Sequence, residues 1–202
     1  MTVNNNESRI EGQDGNGLNQ PTDLELMTAV QQGEIDKMGI LFERHHSRIY
    51  DFCHRMTGSQ AVSEDLVQEA FMRALKYRDS FRGDSDFLPW LYRLARNVCY
   101  DYFSKSRQMP LADTEPPERI SSEPTAAEEA VRTEQICQLR QALLRLPVER
   151  REALVLSRFE FRSYSEIAGL METSVGAVKV KVHRAMKQLR EVYGEMVEEA
   201  ES

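Results

Sequence analysis

SYSEIAGLMETSVGAVKVKVHRAMKQLR, residues 163–190, is the stretch from which the rest of this 202-residue chain can be read. Ser163 with Glu166 three residues later has the form of a capping box opening a helix. Ile167, Ala168, Leu170 and Met171 then give that helix one apolar face. Glu172-Thr173-Ser174 interrupts the pattern, and Thr173 or Ser174 is a natural cap for a second helix. Val175, Val178, Val182, Met186 and Leu189 recur every three or four residues along that helix and predict its buried side. Lys179, Lys181, His183, Arg184, Lys187 and Arg190 fall on the other side.

A short helix, a tight turn and a longer helix with one basic face form the layout of a helix-turn-helix, whose second helix fits the DNA major groove. The plainer alternative is a hairpin of packed helices whose lysines only solvate a surface. Charge placement favours the first. The net charge is −7, yet Phe161–Arg190 holds six Lys/Arg against Glu166 and Glu172, a local +4, and five glutamates follow from Glu191 onward.

Working outward, no segment alternates as a strand does, and the expected class is all-α: two small helical domains joined by a flexible acidic linker. Residues 1–21 are rich in Asn, Gly, Gln and acid and read as a disordered tail. A first domain is expected over 22–107. It opens with a short helix over Leu24–Gln32, capped by Asp23 and ended by Gly33. A longer helix buries Ile40, Leu41, Phe42, Ile49, Phe52, Cys53 and Met56 and stops at Gly58. His45 and His46 within it have no neighbours that would complete a metal site. Ser63 announces a third helix with Leu66, Val67, Ala70, Phe71, Ala74 and Leu75 as its core stripe. The acids at its start suit the helix dipole whether or not a partner binds there.

Phe81-Arg82-Gly83-Asp84-Ser85 reads as a loop, followed by a helix over 86–106 with Pro89 tolerated in the first turn. Trp90, Leu91, Leu94, Ala95, Val98 and Tyr102 face a core in this reading. Arg93, Arg96, Asn97, Lys105 and Arg107 are interleaved with Tyr92, Tyr100 and Phe103. That mixture suits single-stranded nucleic acid, which offers bases to stack and phosphates to neutralise, and it equally suits an ordinary amphipathic helix with an aromatic-rich core. Residues 108–126 hold four of the seven prolines and read as an acidic linker. The second domain is expected over 127–194, with Ile136, Leu139, Leu143 and Leu146 on its first helix, Ala153, Leu154, Leu156 and Phe159 on the next, and an acidic tail over 195–202.

Cys53, Cys99 and Cys137 are far apart in sequence and form no metal-ligand spacing, so no cofactor or metal is expected. The N-terminus lacks an apolar signal core and no run reaches membrane-spanning length, which points to a cytoplasmic protein without membrane insertion.

The segments EDLVQEAFMRAL, FRGDSDFLPWLYRLARN and LRLPVERREALVL, followed by YSEIAGLMETSVGAVKVKVHRAMKQLR, closely resemble the extracytoplasmic-function (ECF) sigma factors. The likeness runs from about Asp23 to Arg190. It implies a promoter-specificity subunit that binds core RNA polymerase through the clamp of the largest subunit, at Asp65, Gln68 and Glu69, with Leu66 and Phe71 inside. It also implies capture of a flipped base of the melted −10 element by the loop Phe81, Arg82, Gly83, Asp84 and Ser85 together with Asn97. Arg93 and Arg96 then hold phosphates. The −35 duplex is read by Lys179, Val180, His183 and Arg184, with Lys181 and Lys187 on phosphates. The family more often carries a small polar residue at Val180, where an apolar contact such as a thymine methyl fits here. Pro89 replaces a more usual Thr. The flap of the polymerase, promoter DNA and an anti-sigma factor complete the implied partners.

Two rival readings fit parts of the same sequence. A self-sufficient helix-turn-helix repressor or activator needs tight binding by the chain alone, which a net charge of −7 disfavours. An enzyme is disfavoured because no phosphate loop, nucleophile elbow or HExxH motif is present.

Overall fold

The computed structural model describes residues 20–83, 86–108 and 127–200. Asp84, Ser85, the proline-rich linker and nearly all of the N-terminal stretch expected to be disordered lie outside the described residues. Within them the chain forms eight α-helices, a 3-10 turn over Arg78–Ser80 and no strand. No helix among them is long and apolar enough to cross a membrane.

Helix α1 spans Asp23–Gln31, but its cap is Thr22, whose hydroxyl accepts from the Glu25 N–H while the Glu25 carboxylate accepts from the Thr22 N–H at 2.7 Å. Asp23, the expected cap, serves a tertiary role instead. Its carboxylate holds Arg44 at 3.0 Å and His45 Nε2 at 2.6 Å, tying α1 to the next helix. Helix α2, Lys37–Thr57, ends as expected at Gly58, which takes a left-handed φ of 76°. Helix α3, Gln60–Lys76, starts earlier than Ser63 indicated. Ser59 is its cap, and Ser63 is fully buried inside the first turn, donating to the Ser59 carbonyl. Helix α4 runs Phe87–Gln108, with Pro89 in its first turn.

Leu41, Ile49, Phe52 and Met56 of α2 meet Leu66, Val67, Ala70 and Phe71 of α3 and Leu91, Ala95 and Val98 of α4 in the first core. Phe42 was expected there. It is exposed instead, stacked on His46 and edge-on to Phe71.

The second bundle comprises α5 (Ala127–Leu144), α6 (Val148–Arg158), α7 (Tyr164–Leu170) and α8 (Val175–Ala200). Ile136, Leu139 and Val175, all expected in its core, lie exposed. Ala142, Leu143, Leu146, Val178, Val182, Ala185 and Leu189 fill it. Helix α8 continues to Ala200, so most of the expected acidic tail is helical. The cause is local: Val192 and Met196 extend the apolar stripe at i, i+4 spacing, and Met196 is buried.

The two bundles are packed together, α2 against α5 and α6, and α4 against α7. Helix α6 is therefore enclosed on nearly every side. Arg151 and Glu152 are buried along with Ala153, Leu154, Val155 and Leu156.

Candidate nucleic-acid interface

The turn between α7 and α8 is made by Glu172, held at a left-handed φ of 51°, and by Ser174, whose hydroxyl accepts from the Ala177 N–H at 3.1 Å. The first turn of α8 that this cap opens is exposed at Val175 and Gly176. Val178, Val182, Ala185 and Leu189 anchor one side, leaving Lys179, Val180, His183, Arg184 and Lys187 exposed. Positions 180, 183, 184 and 187 repeat at helical spacing, so they form one stripe. Lys181 is set apart from it: half-buried, with Nζ 3.3 Å from the Glu149 carboxylate of α6. Lys187 pairs loosely with Glu191 at 3.7 Å.

On the first bundle, Phe81 does not face solvent. Its ring is buried against Phe87 and Trp90, with centroids 6.0 and 5.4 Å away, and it anchors the loop whose Arg82 and Gly83 are exposed. Gln31 donates to the carbonyls of Arg78 and Phe81 and pins the loop from α1. Arg93 and Asn97 are exposed on α4. Asp65, Gln68 and Glu69 are exposed on α3, backed by buried Leu66, Val67, Ala70 and Phe71. Met72, 62% exposed, lies one turn beyond Gln68 and Glu69 on that face. The core pattern had assigned it nothing, although its i+7 spacing from Asp65 was readable.

Arg96 has a different environment. Its Nε lies 2.5 Å from Oε1 of Glu152, a carboxylate with no exposed surface, and Tyr100 donates its hydroxyl to Oε2 at 2.7 Å. The Arg96 guanidinium also lies 4.8 Å from the Tyr100 ring centroid. Nearby, the buried Tyr92 donates to Glu160, Arg162 covers the Tyr92 ring, and Arg55 approaches Glu160 at 3.8 Å. Of the α4 residues that resembled a single-strand platform, Tyr92, Arg96 and Tyr100 are thus engaged with the second bundle, whereas Arg93, Asn97 and Lys105 stay exposed. Burial, followed by the charge of Glu152, raises the Tyr100 pKa. Burial likewise raises that of Tyr92, with Glu160 adding to it. Glu152 itself is pushed up because desolvation outweighs the help of Arg96 and Tyr100.

Arg151, next to Glu152 on α6, also joins the bundles. It donates to the carbonyls of Met56, in the last turn of α2, of Leu144, the last residue of α5, and of Leu146 in the turn that follows. Burial lowers its pKa to about 10, so it remains a cation at neutral pH, placed where two helix C-termini present negative dipole ends.

Residues 41–108 match the model of Sigma-70 region 2, and residues 138–189 that of Sigma-70, region 4. The RNA polymerase sigma factor CarQ of Myxococcus xanthus is 33% identical over 174 residues, covering 84% of this chain and 97% of that protein. The ECF RNA polymerase sigma-E factor of Escherichia coli (strain K12) is 35% identical over 179 residues, covering 84% and 93%. Two solved structures share the fold at 22% identity. CnrH in complex with the cytosolic domain of CnrY has a TM-score of 0.61, covering 89% of this chain and 99% of that one. The sigma factor RpoE of Bartonella quintana, in complex with the anti-sigma factor NepR, has a TM-score of 0.60, covering 78% and 96%. With an exposed basic stripe on a capped helix, both sigma regions in order and relatives matched along nearly their whole length, the chain belongs to the ECF sigma factors, the subunits through which RNA polymerase recognises promoters and starts transcription.

Proposed function

We propose that the two bundles divide promoter recognition as follows. The α3 face of Asp65, Gln68, Glu69 and Met72 docks on the clamp of the largest polymerase subunit. Acids flank an exposed methionine there, and a polar rim around an apolar centre suits protein association. The loop at 81–85 with Arg93, Arg96 and Asn97 holds the melted −10 strand, whose unstacking cost of a few kcal/mol is offset by a pocket for the extruded base. Helix α8 reads the −35 duplex through Lys179, Val180, His183 and Arg184, with Lys181 and Lys187 on phosphates, and its bundle contacts the polymerase flap. The chain works in the cytoplasm and is held in check by an anti-sigma factor, as the sigma factor RpoE is seen bound to NepR.

The observation that carries this reading is the exposed stripe Val180, His183, Arg184 and Lys187 on a helix launched by its own cap. Run-off transcription with bacterial core polymerase on a genomic library tests it. Start sites sharing upstream −10 and −35 sequences are expected. A chain that joins core polymerase and yields no transcript, or fails to join it, overturns the reading.

A further inference from the structure

We propose that Gln31, the last residue of α1, is a positioning residue for the −10 strand: its carboxamide fixes the backbone from which the capture loop reaches the extruded base. This role rests on the assignment of that loop to the −10 element made above. The likeness to Sigma-70 region 2 begins at residue 41, so α1 lies outside it. One Nε2 supplies both bonds, donating to the Arg78 carbonyl at 2.8 Å and to the Phe81 carbonyl at 2.9 Å. Each of its two hydrogens is used. Those carbonyls bracket the 3-10 turn, where the chain leaves for exposed Arg82 and Gly83. The Arg78 carbonyl also accepts from the Phe81 N–H at 3.1 Å, so amide and turn close on the same atom. Leu24, two turns before Gln31 on the same face of α1, has its Cδ1 3.5 Å from where a Cβ on Gly83 would lie. Helix α1 thus touches the loop on both sides of Arg82.

The loop has few other anchors. Phe81 is buried against Phe87 and Trp90, but Arg82 and Gly83 face solvent. Helix α1 is itself firmly held. Leu26, Met27 and Val30 are buried, the Thr22–Glu25 box closes its start, and Asp23 grips Arg44 and His45. Fixing a loop before its ligand arrives removes an ordering cost from binding. An extruded base must also be met by groups already close to their productive positions, which supporting hydrogen bonds provide. Gln31 touches no DNA; its effect passes through the backbone of residues 78–83.

The test uses the full chain bound to core polymerase. The probe is a fluorescein-labelled non-template strand from a start site found by run-off transcription, either intact or abasic at each −10 position in turn. Wild-type chain should lose most affinity at one abasic position, that of the extruded base. Gln31→Met keeps the side-chain length without the donors. It should bind the intact strand about tenfold more weakly. On the strand abasic at that position it should differ from wild type by less than about twofold, since a misplaced loop costs only where there is a base to hold. Affinity for polymerase and for −35 duplex should be unchanged. Gln32→Met, the same chemical change on the exposed neighbour, should leave every reading as in wild type. If Gln31→Met does not fold, Gln31→Asn, whose amide falls one methylene short, is judged by the same readings. Equal losses on intact and abasic strands make Gln31 a general stabiliser and overturn the inference. A wild type indifferent to every abasic position overturns the loop assignment and this inference with it. A sensitive wild type with Gln31→Met unaltered overturns this inference alone.

Discussion

Phe161 is held at a φ of 52° with its side chain 87% exposed, so it gains almost nothing from burial for a backbone geometry that L-residues resist. The left-handed region costs a non-glycine residue roughly 1–2 kcal/mol. Phe161→Gly should therefore raise the urea-unfolding free energy by about 1 kcal/mol, less the added chain entropy of glycine. An unchanged or lower midpoint counts against strain at this position. His54 supplies a second test at this scale. Burial and the nearby charge of Arg140 lower its pKa, and its Nδ1 is buried without a partner. The unfolded chain takes up a proton that the folded one resists. Stability is then complete above the ordinary histidine value of 6.5 and is lost as pH falls through the lowered folded value. Urea titrations across that range should show this loss in the wild type and a flatter profile in His54→Gln.

At the scale of the element, α8 joins an exposed basic stripe to a cap. Arg184→Ala should cost about 1–3 kcal/mol on a cognate −35 site and much less on unrelated duplex if Arg184 meets a base edge. Lys187→Ala should weaken all duplexes alike and reduce the salt slope by about one. Fluorescence anisotropy of the polymerase-bound chain over a range of salt separates the two. On α3, Met72→Lys changes an exposed side chain. It should lower affinity for core polymerase by about tenfold, as loss of an interface anchor does, while the melting temperature stays within about a degree. The limits of these helices were largely readable from sequence because caps and apolar period are local. Gly58, the Ser163–Glu166 box and the break at Glu172–Ser174 fell where the residues indicated. The start of α3 did not, because Ser59 and Ser63 are both good caps and only packing buries one of them. The helical reach of α8 to Ala200 was hard to read because four exposed glutamates, Glu191, Glu195, Glu198 and Glu199, outnumber Val192 and Met196, the two apolar residues that carry the stripe there.

Across the whole molecule, the seam between bundles depends on charged residues that periodicity could not place inside. Arg151→Met removes the donor to three carbonyls at or just beyond helix ends and leaves them buried. With each hydrogen bond to a charged group worth about 1.5–3 kcal/mol, the loss should reach about 3 kcal/mol or more. Differential scanning calorimetry should show it as a fall in melting temperature, and a melting point close to the wild type would falsify this role. The sequence by itself determined the helices, their order and the basic stripe, since each follows from spacing within about a dozen residues, while the two sigma regions were legible by resemblance of longer segments. Only the tertiary structure decided that Arg96, Tyr92 and Tyr100 face the second bundle, and that Arg151 and Glu152 are buried. The physical reason is that a charge goes inside only where a partner from a distant segment meets it, and no local pattern records that meeting.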